Sequence, residues 1–149
     1  MKKIKVLHWF LVILIVLFAI GLLTNFYVFK HFERSKYFIF LITSAFSTLI
    51  VLGLFFMQRA LFQIIKNGYF NTIVGVNFKR SGLCFLLSGF GSAAFNIFTF
   101  NKDGFPNSEV LVLNLITYFL LIMIGLGLFV ILEFVENGNV LKQENDLTI

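Results

Sequence analysis

The chain has 149 residues, of which 59% are hydrophobic and 13% charged, against about 25% charged in an average soluble domain. One small core cannot bury that much apolar surface, so a water-soluble globular protein is excluded and a single membrane domain, residues 1–149, is expected. Twelve Lys and Arg against seven Asp and Glu put the pI near 9.5. The basic residues stand at the ends of apolar stretches, which argues for contact with the lipid bilayer and against direct nucleic-acid binding.

Four stretches carry no charged residue: 6–29, 37–58, 81–101 and 110–132. Each reaches the roughly 20 apolar residues that a helix needs to cross a bilayer core. The pattern predicts an all-α, polytopic membrane protein with four transmembrane helices in an up-down bundle. The first span, 6–29, follows Lys2, Lys3 and Lys5 and imitates a signal peptide, with Ala19-Ile20-Gly21 resembling a cleavage site. Its apolar run outlasts the roughly 7–15 residues of a signal-peptide core, which predicts a retained helix.

The second span, 37–58, continues in helical rhythm. Arg59, Gln63 and Lys66 recur at i, i+4 and i+7 with Leu61, Phe62, Ile64 and Ile65 between them, an amphipathic extension to residue 67. Asn67-Gly68 then supplies a stop, and Asn71 or Thr72 can cap the third helix, 71–101, whose membrane part is 81–101. The two extensions either protrude by about two turns, roughly 11 Å, as a docking surface, or lie among lipid headgroups as connectors. Pro106 with Asp103-Gly104 marks the turn before the fourth span, 110–132, and a tail occupies 133–149. No internal repeat is evident, and Gly75, Gly89, Gly91, Gly125 and Gly127 read as weak break points.

Four spans put both termini on one side. With the N-terminus inside, Lys2, Lys3, Lys5, Arg59, Lys66, Lys79, Arg80 and Lys142 are inner, against Lys30, Arg34, Lys36 and Lys102 outside. The excess predicts an N-in/C-in topology. Trp9 and Tyr69 then fall near the inner interface, and Tyr27 and Tyr37 near the outer one, as an aromatic belt requires.

The polar residues within the spans are uncharged, which counts against proton-coupled transport. On helix 3, Ser81, Cys84, Ser88, Ser92, Asn96 and Thr99 share one face, and helix 2 adds Thr43, Ser44, Ser47 and Thr48. Asn25, Asn96 and Asn114 fall one to two turns from the outer ends of their helices, with Thr43 and Ser44 slightly deeper. These five residues form either an outward-facing pocket for a small neutral ligand or lipid headgroup, or a set of structural hydrogen bonds between helices.

The inner side offers candidate docking residues: Arg59, Lys66, Lys79 and Arg80, then Glu133, Glu136, Leu147 and Ile149. Glu133 and Glu136 either receive a cation or partner, or pair with Arg59, Lys79 or Arg80. Leu147 and Ile149 either add as a strand to a partner's groove or belong to a mobile or self-docked tail. His8 and His31 lie at opposite ends of helix 1, and Cys84 is the sole cysteine. No catalytic constellation, metal site or cofactor motif is expected, and the chain is read as no enzyme.

Two motifs carry a family resemblance. The inner turn reads Gly68-Tyr69-Phe70-Asn71-Thr72, followed by Phe78-Lys79-Arg80-Ser81-Gly82. The C-terminus reads Asn137-Gly138-Asn139-Val140-Leu141-Lys142 and closes Glu144-Asn145-Asp146-Leu147-Thr148-Ile149. Over nearly the whole chain this resembles the domain of unknown function 2975 (DUF2975) family, small bacterial integral membrane proteins of four helices. Two positions depart from the family pattern: Tyr69 stands where a proline is frequent, and Asn71 replaces a capping Ser or Thr. The resemblance implies a multi-pass protein of the bacterial cytoplasmic (inner) membrane, often encoded beside a small helix-turn-helix regulator as a possible cytoplasmic partner. It implies no catalytic residues. The expected function is non-enzymatic and partner-binding or regulatory, with a small transporter or channel as the alternative.

Overall fold

The computed structural model describes residues 2–29, 37–103 and 108–147. It is all-helical: α1 (Lys2–Phe29), α2 (Tyr37–Asn67), α3 (Thr72–Asp103) and α4 (Ser108–Leu147). All four helices are long and apolar enough to cross a membrane. The expected second and third helices appear with their extensions, and α1 begins nearer the N-terminus than expected, at Lys2. The larger difference is α4, whose 40 residues amount to about 60 Å of helix. Residues 133–147, expected as a tail, are its continuation. Good helix formers follow the last apolar turns, among them Leu141, Lys142, Gln143 and Glu144, and they carry the helix through Gly138. Leu147 is therefore the last turn of a helix rather than a free strand, and Ile149 lies outside the described residues.

The α2–α3 turn follows from three local interactions. Gly68 takes φ +85°, and its N–H donates to the Ile64 carbonyl at 3.0 Å. That left-handed residue ends α2 where a side chain would be strained. Asn71 Oδ1 accepts the Ile73 N–H at 2.9 Å, and the Asn71 carbonyl accepts Val74 N–H at 3.0 Å. Asn71, one of the two expected caps, thus starts α3. Phe70 lies against Gly138 of α4, so the two motifs that carry the family resemblance touch.

The helices pack in series. α1 rests on α2, α2 on α3 and α3 on α4, and among the described residues no other pair of helices approaches closely. The bundle is therefore open along the α1–α4 side. Its antiparallel course is marked for α1 and α2 by His8 beside Phe62 at one end and Phe26 beside Phe40 at the other. Among the described side chains of α1, Leu11 is the single buried one. Large apolar side chains such as Leu17, Leu87, Phe98 and Phe119 are exposed on every helix. In water this would be an aggregation surface; against hydrocarbon it carries no penalty.

α3 is the central helix, and a heptad governs both of its seams. Val74, Ser81 and Ser88 are fully buried, and the two serines reach Gly53 and Phe46 of α2. Ser81 Oγ donates to the Gly53 carbonyl at 2.7 Å, and Ser88 Oγ donates to the Phe46 carbonyl at 3.0 Å. The next residue of each heptad is a glycine, Gly75, Gly82 and Gly89, and these face α4. A Cβ on Gly82 would stand 3.1 Å from the Gly125 carbonyl oxygen, and one on Gly89 would stand 3.0 Å from that of Tyr118. Such backbone approach is the packing available to helices that gain nothing from excluding water. Of the glycines read as break points from sequence, Gly75, Gly89, Gly91 and Gly125 are contact points, whereas Gly127 has nothing within 4 Å of where a Cβ would stand.

Candidate functional site in the polar end of the bundle

The same heptad explains where the bundle is not filled. Phe78 and Phe85, seven residues apart, are buried and close the α2–α3 seam toward the α2–α3 turn. The third member of that series is Ser92. A hydroxymethyl group replaces a benzyl group, and the space is left as a cavity of about 310 Å³ in the half of the bundle remote from the turn.

Three helices line it. α2 contributes Thr43 and Ser47 with Ile39, Phe46 and Ile50; α3 contributes Ser92, Asn96 and Thr99 with Phe95; α4 contributes Asn114 and Tyr118. Asn96 Nδ2 donates to the Tyr118 hydroxyl at 3.1 Å, joining α3 to α4. Thr43 Oγ1 donates to the Ile39 and Phe40 carbonyls, both at 3.0 Å, and Ser47 Oγ donates to Thr43 O at 2.9 Å. Thr99 Oγ1 donates to Asn96 O at 3.0 Å. These hydroxyls spend their protons on their own helices and turn lone pairs to the cavity. Asn114 and Ser92 make no side-chain hydrogen bond among the described residues. An amide and a hydroxyl therefore remain to donate, while Asn96 Oδ1 and the threonine oxygens accept. No charged side chain lines the cavity. It suits a small, uncharged molecule with hydrogen-bonding groups and offers no nucleophile–base pair.

Of the five residues expected to form this pocket, Thr43, Asn96 and Asn114 converge. Asn25 does not: it is exposed on α1, and among the described residues α1 contacts α2 but neither α3 nor α4. Ser44 also lies off the cavity, where its carbonyl accepts from Thr48 Oγ1 at 2.8 Å. One residue of helix rotates the side chain by about 100°, enough to turn it from the cavity. Tyr118 was missed, although its i+4 relation to Asn114 was a readable signal. Ser92 and Thr99 were seen on the right face without being placed at a site.

The inner candidates fall into separate places. Arg59 and Arg80 line one groove of about 190 Å³ with Thr72 and Asn77. Glu136 lines a different recess of about 110 Å³ with Asn71, Thr72, Gly75 and Asn139. Lys66, Lys79 and Glu133 are exposed, and Leu147 is exposed at the end of α4. Neither Glu133 nor Glu136 forms an ion pair with Arg59, Lys79 or Arg80 among the described residues.

Comparison with protein-family models finds no match, and neither the curated proteins nor the solved structures give one.

Proposed function

We propose that this is a non-enzymatic, multi-pass protein of the bacterial cytoplasmic membrane that binds a small neutral ligand in the outer half of its bundle and presents the bound state to a cytoplasmic partner. The observation that carries this reading is the uncharged polar cavity of about 310 Å³, in which Thr43, Asn96 and Asn114 meet without filling the space. The orientation rests on the excess of basic residues at the end bearing the α2–α3 turn. Exposed Trp9 and Tyr69 at that end and Tyr27 at the other agree with interfacial belts. The cavity then faces outward, and the continuation of α4 faces the cytoplasm. The roughly 60 Å of α4 as a whole exceeds a hydrocarbon core of about 30 Å by roughly the same amount again. The partner suggested by the resemblance to the domain of unknown function 2975 family is a helix-turn-helix regulator, and membership of that family is itself part of the proposal.

Ser92→Phe tests the reading. It extends the Phe78 and Phe85 series into the cavity and replaces its polar floor by a ring. In a panel of uncharged polyols and alcohols, a ligand that raises the melting temperature of the purified wild-type protein should leave Ser92→Phe unmoved, while the variant remains folded. Equal shifts for both would place the ligand elsewhere. The transporter reading draws on the same cavity, and solute flux in liposomes carrying the purified protein would favour it over sensing.

A further inference from the structure

Arg59 on α2 and Arg80 on α3 open onto the same groove, together with the Thr72 hydroxyl and the buried Asn77. Arg80 is held toward α2 by Phe56, with its guanidinium carbon 5.7 Å from the ring centroid. Phe56 and Arg59 are three residues apart on one helix and so share a face. Two guanidinium groups are thereby turned to one space of about 190 Å³ that no carboxylate lines. Glu136, in the adjoining recess that shares Thr72 and Val76, makes no ion pair with either. Both arginines are exposed at the mouth of the groove, so water screens part of their mutual repulsion and an anion joining them relieves the rest. The positive end of the α3 dipole adds to the same field. Its first amides are already engaged, since Ile73 and Val74 donate to Asn71, so the anion's hydrogen bonds must come from the guanidinium groups and Thr72.

The level of the groove selects the kind of anion. Arg59 immediately follows the uncharged stretch 37–58, and Arg80 immediately precedes the uncharged stretch 81–101. Both therefore stand at the boundary where hydrocarbon gives way to headgroups. We infer that the Arg59–Arg80 groove holds the phosphate group of an anionic phospholipid, bidentate guanidinium pairing supplying the recognition. This goes beyond the outer-cavity reading and does not depend on it.

Native mass spectrometry of the full chain, incubated with equal amounts of phosphatidylglycerol and phosphatidylcholine, tests the site. Wild-type protein should retain phosphatidylglycerol. Arg59→Gln/Arg80→Gln should retain less by about tenfold or more, since the charge-assisted hydrogen bonds from both guanidinium groups to the phosphate are lost. Lys66→Gln/Lys79→Gln removes the same charge outside the groove and should behave as wild type. Equal retention by the arginine variant, or an equal loss in the lysine variant, overturns the site. Sodium phosphate added in millimolar excess separates the two sources of phosphate. Failure to displace the lipid supports a headgroup site, and displacement with an arginine-dependent rise in melting temperature would assign the groove to free phosphate and overturn the lipid assignment.

Discussion

Two serine hydroxyls hold the centre of this protein by bonding to backbone rather than to each other. Ser81 and Ser88 are fully buried and donate to Gly53 and Phe46 carbonyls across the α2–α3 seam. Thr117, by contrast, is exposed and donates to Leu113 within its own helix. Interhelical hydrogen bonds in membranes contribute about 0.6 kcal/mol on average, because the separated helices find other partners. Ser81→Ala and Ser88→Ala are each expected to cost about that much and to add when combined, since they lie roughly 10 Å apart along the helix. Thr117→Val should leave stability unchanged. Unfolding of the purified variants in mixed micelles measures all three, and a Thr117→Val loss as large as the serine losses would deny the cross-helix bonds any special weight. Sequence placed both serines on one face of α3 without naming their partners. A carbonyl acceptor exists at every residue, so only the packing reveals which ones are reached.

Among elements, α3 decides the architecture because it carries two different heptads side by side. Gly82 and Gly125 approach so closely that either Cβ would stand about 3 Å from the opposite carbonyl. Gly127, two residues further along α4, has nothing within 4 Å of where a Cβ would be. Gly82→Leu must push α4 away and is expected to cost about 1–3 kcal/mol, as overpacking does. Gly127→Ala should be neutral or mildly stabilising through helix propensity. Reversible unfolding of the two variants compares them directly; an equal cost would mean that the α3–α4 contact is looser than its backbone approach implies. The four helices and the α2–α3 turn were legible because charge gaps and Gly/Asn punctuation mark them strongly. The faces were less so. Phe, Leu and Ile turned outward look no different in sequence from those turned inward, which is why a glycine seam read as flexibility and Asn25 read as part of a pocket.

Taken as one molecule, the bundle is built with a dense end and a porous end. The buried apolar cluster joins Leu54, Ala60, Leu61, Ile64, Val74, Phe78 and Phe85 near the α2–α3 turn, with Leu128 and Val135 of α4. Phe70 seated on Gly138 ties the turn itself to α4. At the other end the seam gives way to the polar cavity, where the Thr43, Ser47 and Thr99 hydroxyls bond within their own helices rather than across. α1 adds little to either end, since Leu11 is the one buried side chain among those described on it. The polar composition of the porous end was visible in the sequence, but its emptiness was not, because a cavity depends on the volume of facing side chains in three helices at once. Opening of helix amides should follow the same gradient, since local opening needs few buried contacts and access for water. In hydrogen–deuterium exchange on protein in lipid nanodiscs, amides of 53–64 and 74–85 should exchange slowest. Those of 39–50 and 92–99 should exchange faster, although both sets lie within uncharged helix or its direct extension. Ser92→Phe, by filling the cavity, should slow the second set and leave the first as it was. The gradient would be refuted by faster exchange at the turn end, the end that membrane depth alone would place nearer to water; that contrast makes packing rather than depth the cause under test.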